Sequence, residues 1–87
     1  MSEFLSYNLH LSTGDAVRVT LRGHASDVFL VDDVNFHAFR NRRSFSYHGG
    51  HMTSSPVVVR PPHGGHWHLV VMPSGGRVEA SVQVIAA

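Results

Sequence analysis

The 87-residue sequence contains no cysteine. That excludes disulfides, a thiol nucleophile and thiolate metal ligands. It suits a reducing compartment, and a cytoplasmic location is expected. Long apolar runs are also missing. None approaches the roughly 18 residues of a membrane span, so no membrane partner is expected. The N-terminal stretch Met-Ser-Glu-Phe-Leu-Ser-Tyr has neither a basic nor an apolar leader segment, so no signal peptide is expected. Charge is scarce, at 15% of residues with a net of +1. So small a field gives little pull on nucleic acid, which is not an expected partner. Lysine is absent. All seven basic residues are arginines, each able to make bidentate contacts with carboxylate or phosphate. There is no Gly-x-Ser-x-Gly elbow, and no Ser/His/Asp combination has motif spacing.

What is present reads as strands. Glycine falls at positions 14, 23, 49–50, 64–65 and 75–76, outside the apolar runs. Between these marks the chain alternates apolar and polar residues at period two. Leu5, Tyr7, Leu9 and Leu11 share one face of a first strand. Val17, Val19 and Leu21 alternate with Arg18, Thr20 and Arg22 in a second. Val28-Phe29-Leu30-Val31 is continuously apolar, as in a strand covered on both faces. Phe45 and Tyr47 alternate with Ser44, Ser46 and His48 in a fourth. Val57-Val58-Val59 lies between Pro56 and Pro61-Pro62, which cannot donate to a ladder. Trp67, Leu69 and Val71 alternate with His66, His68 and Val70. Val78, Ala80, Val82 and Val84 alternate with Glu79, Ser81 and Gln83. Only the stretch from Asp32 to Arg43 resists. Asp32 or Asp33 can cap a helical turn with Phe36 and Phe39 at i, i+3 spacing, and a loop dropping one Phe into the core fits equally well. The expected fold is all-β: a compact β-sandwich or small barrel of about seven strands with one short helical turn, one domain over 1–87.

Five of the eight histidines lie between His48 and His68, where the tetrapeptide HGGH occurs twice. Each Gly-Gly is expected at a turn or strand end, with at least one positive φ in each pair. On a strand, residues i and i+2 face the same way. His66 and His68 therefore share a face, opposite Trp67, which is expected to anchor the core. An H-x-H pair can hold a metal ion, with His48, His51 or His63 as the third ligand. Against that, His68 runs into Leu-Val-Val-Met-Pro, with no acid before Glu79. No metal ligand set, no cofactor and no catalytic residue is therefore assigned. Arg40-Asn41-Arg42-Arg43, followed by Phe45 and Tyr47, offers guanidinium groups suited to an anionic small ligand.

Ser55-Pro56-Val57-Val58-Val59, Pro62 and Gly65-His66-Trp67-His68-Leu69-Val70-Val71 occur in that order. Earlier come Phe4-Leu5-Ser6-Tyr7, Gly14-Asp15, Asn35-Phe36 and Tyr47-His48-Gly49-Gly50. In this arrangement the chain resembles a small bacterial family, domain of unknown function 1883, over about Phe4 to Ile85. The GHWH motif, Gly65 to His68, is its most specific part. The resemblance implies a compact all-β domain, found singly or ahead of a TIR signalling domain. It implies no activity, so it carries over no catalytic residue.

Together these features point to a non-enzymatic recognition or sensing module for a small, anionic ligand or a protein partner. The ligand-binding residues expected are His48, His66, His68, Arg40, Arg42 and Arg43. Two alternatives stand beside it. One is a metal-binding or hydrolytic protein using the His66/His68 face. The other is a homodimeric interaction protein working through a sheet edge.

Overall fold

A computed structural model describes residues 4–87; the first three residues of the stretch inspected for a leader lie outside it. The element order is β1 (Leu5–Leu11), β2 (Ala16–Gly23), β3 (Ser26–Val31), α1 (Asp33–Arg40), β4 (His48–Met52), β5 (Val57–Val59), β6 (Gly65–Pro73) and β7 (Val78–Ile85). Two antiparallel sheets form, in the orders β1-β6-β3-β4 and β5-β2-β7. The fold is a small all-β sandwich, and no helix among the described residues is long and apolar enough to cross a membrane.

The alternation of each strand decides what enters the sandwich. Leu11, Val28, Leu30, Trp67, Leu69 and Val71 from the larger sheet meet Val17, Val19 and Val59 from the smaller one. Trp67 is 2% exposed, and its indole N–H donates to the His63 carbonyl at 3.1 Å. The outer face of the larger sheet carries a second cluster. Phe29, Val31 and Val70 are buried there beneath Phe4, Phe36, Phe39 and Phe45. This explains the unbroken apolar run of β3: its odd and even residues serve two different cores.

Helix α1 forms that outer cover. The Asp32 carboxylate accepts from the Asn35 backbone N–H at 2.8 Å, an N-cap on a first-turn donor. Phe36 and Phe39, one turn apart, face the sheet. The helical option between Asp32 and Arg43 is thus realised, over two turns. Arg42 then takes φ 57°, the left-handed residue that closes the helix.

Two expectations need correction. The fourth strand does not run over Phe45 and Tyr47. It is His48–Met52, so Gly49 and Gly50 lie inside a strand rather than at a turn or strand end. Phe45 is drawn instead onto the Phe29 and Phe39 rings, at centroid distances of 5.7 and 5.3 Å. Gly49 does have positive φ, 141°, but for close approach within a ladder. A Cβ there would collide with the Val28 carbonyl oxygen. The second pair behaves as expected, with Gly65 opening β6 at φ 143°. Gly75 and Gly76 make the β6–β7 connection, Gly76 at φ 62°.

We predict that Trp67→Ala costs about 3–5 kcal/mol, the range for deleting a large buried aromatic ring. Val58→Ala, at a position 49% exposed, should cost under about 0.5 kcal/mol. Urea unfolding of the two variants checks this. Equal midpoints would remove Trp67 from the core.

Candidate functional site

The antiparallel register of β3 and β6 builds the site. Val31 lies opposite His68. Two residues further along the same register, position 33 falls opposite His66. The chain turns into α1 at this point, with Asp32 as its cap, and Asp33 in the first helical turn projects over the outer face of β6. Its Oδ1 accepts a hydrogen bond from His68 Nε2 at 2.6 Å. His66 Nδ1 stands 3.0 Å from the same oxygen. One carboxylate oxygen therefore bridges the two imidazoles that period two placed on a common face.

Packing fixes the arrangement. The His68 ring lies flat against Phe36, with centroids 4.1 Å apart and planes 7° from parallel. Its side chain is only 12% exposed. Phe36 is therefore both a core residue and a wall of the site. The Arg40 guanidinium sits over the same ring, 5.9 Å from its centroid. The His66 ring is 4.9 Å from the His68 ring. Its side chain is 46% exposed, and that of Asp33 67%.

The three ligating atoms lie within 4.8 Å of one another. Four ligands about 2.0–2.1 Å from a tetrahedral zinc ion stand roughly 3.3 Å apart, so small side-chain rotations suffice. The argument against a metal rested on the want of an acid downstream of His68. The fold brings one from 33 residues upstream of His66, and sequence distance hid it. The nearest signal was the Asp32-Asp33 pair: with Asp32 committed to the cap, Asp33 is released for other work.

The remaining expected residues are dispersed. His48 belongs to the inner face, edge-on to Trp67 at 5.7 Å. His63 also contacts that indole, at 5.0 Å. His51 Nδ1 pairs with Asp27 at 3.0 Å. None of these three joins the group formed by Asp33, His66 and His68. Arg42 and Arg43 follow α1, a helix about 12 Å long that separates them from Asp33 at its start. A cavity of about 960 Å³ is lined by Arg22, Arg77, Leu5, Pro73 and Val78 among others. It lies toward the Pro73 end of β6, away from His66 and His68. A bridging carboxylate makes the histidine face suited to a cation rather than to an anion.

The contacts also act on Asp33. The hydrogen bond from His68 chiefly holds its carboxyl below the ordinary value of 3.8; desolvation opposes this, and the charges of His66 and His68 assist it. A depressed carboxyl stabilises the fold above its ordinary value, and that contribution is lost as pH falls through the lowered one. We predict that Asp33→Asn lowers the urea midpoint near pH 6 and converges with the parent under strongly acidic conditions. The difference should shrink in a His66→Ala/His68→Ala background. A pH-independent difference would show that the Asp33 charge is irrelevant.

Neither the curated proteins nor the solved structures contain a match to this chain. One family model does match, domain of unknown function (DUF1883), over residues 3–87. That match spans nearly the whole chain, and the chain belongs to the DUF1883 family.

Proposed function

We propose that this domain is a non-enzymatic recognition module whose ligand is a divalent transition-metal ion, zinc by its donor set. Its ligands are Asp33, His66 and His68. The observation that carries this reading is the convergence of two imidazole nitrogens and one carboxylate oxygen from two separate elements.

Energetics support it. Partly exposed ion pairs contribute little to stability, about 0–1 kcal/mol. The cluster is therefore a weak device for holding α1 on the sheet, a task that the packing of Phe36 and Phe39 against Phe29, Val31 and Val70 already performs. A borderline-soft ion prefers imidazole and carboxylate where thiolate is lacking, and this chain has no cysteine. Imidazole binds a metal only in its neutral form, so affinity should fall with acidity.

A hydrolytic role would need a general base beside the ion. Asp33 is the only carboxylate in the cluster, and here it serves as a ligand. A recognition role fits better. Fusion of relatives to a TIR signalling domain, as the family resemblance implies, would place such a sensor ahead of an output. A cysteine-free chain suits a cytoplasmic setting for it.

Zinc titration calorimetry near pH 7.5 should give one ion per chain. Asp33→Asn and His66→Ala/His68→Ala should each weaken binding by at least tenfold. His51→Ala and His63→Ala should leave it unchanged. A parent protein that takes up no zinc, or binding that survives the double variant, would refute the proposal.

A further inference from the structure

Three ligands from α1 and β6 leave a zinc ion at least one open position. The β1–β6 register places another imidazole beside it. His10 lies directly opposite His66, and Asn8 opposite His68. Residues directly opposite on adjacent strands face the same way, with Cβ atoms about 4.5–5.5 Å apart. Strand β1 buries Leu11 and packs Tyr7 and Leu9 against the inner core. Ser6, Asn8 and His10 must then share the outer face with His66 and His68.

Nothing holds His10 elsewhere. It is exposed. Among the described residues it makes no side-chain hydrogen bond or ion pair. β1 is an edge strand of its sheet, so no further strand crowds it. Exposed side chains change rotamer in picoseconds to nanoseconds, so rotation toward an ion beside His66 presents no barrier of consequence.

We infer that His10 is the fourth zinc ligand, completing a His10, Asp33, His66, His68 site that rests on the metal reading above. The consequence is chemical as well as structural. Four protein ligands close a tetrahedral site, whereas catalytic zinc keeps one position for water or substrate. A closed site senses or fastens; it does not polarise a bound substrate. The ion would also tie three elements together: the edge strand β1, the central strand β6 and the start of α1. Metal occupancy would then be reported by the order of β1, an edge strand of its sheet.

The test uses the purified chain with zinc and with cobalt(II), whose visible spectrum distinguishes four-coordination from higher coordination. The variants are His10→Ala, His37→Ala as an exposed histidine on the helix, and Asp33→Asn. The expected result is an intense four-coordinate cobalt spectrum for the parent and for His37→Ala. His10→Ala should give the weak spectrum of a hydrated five- or six-coordinate ion. Its zinc affinity should fall at least tenfold, since even losing a partner outside the first shell costs 10–100-fold. An unchanged melting curve without metal shows that the variant is folded.

Parent-like zinc affinity and cobalt spectrum in His10→Ala, with Asp33→Asn impaired, would overturn this inference and leave a three-ligand site with an open position. A parent that binds neither ion would overturn the metal reading itself.

Discussion

The structure depends on β6 being covered on both faces by different partners. Trp67, Leu69 and Val71 enter the core between the sheets, while Val70 lies under the phenylalanines on the outer face. Both demands are met because the outer face is covered by helix α1 and the phenylalanines around it. The short helix α1 supplies that cover for only part of its length. At the end of β6 nearest the start of α1, the apolar cover gives way to polar groups, and the outer positions there are His66 and His68. The site sits at the margin of the second core, and its stiffest member, His68, is held by a ring that belongs to that core.

This placement separates the histidines by role. His48 and His63 frame the indole at the end of the sandwich, and His51 answers Asp27 across a strand pair. These contacts need no ligand to explain them. The His66/His68 pair differs because one carboxylate oxygen bridges two imidazoles, and that carboxylate is largely exposed, so little stability follows from the arrangement. A polar cluster that is geometrically defined and energetically weak calls for a use beyond folding.

Much of this was legible in the sequence because it followed from period two. The common face of His66 and His68 and the burial of Trp67 opposite them follow from alternation, and the double covering of β3 from its unbroken apolar run. The strand expected at Phe45 and Tyr47 was misplaced for the same reason: alternation there is real, but the apolar residues answer to the helix and Phe29 rather than to a ladder. The HGGH strand was concealed by glycine, which suggests a turn when read singly and here permits close approach to Val28. Asp33 was hidden by register. Nothing local states that β3 pairs with β6, and only that pairing brings position 33 to position 66. His10 was hidden in the same way by the pairing of β1 with β6.

The most direct measurement is an anomalous-difference map from crystals grown with zinc and measured at its absorption edge. The account predicts a single strong peak about 2.0–2.1 Å from Asp33 Oδ1, His66 Nδ1 and His68 Nε2, with the His10 ring turned toward it. A peak between His48 and His63, a peak on the Asp27–His51 pair, or no peak at stoichiometric zinc would contradict it.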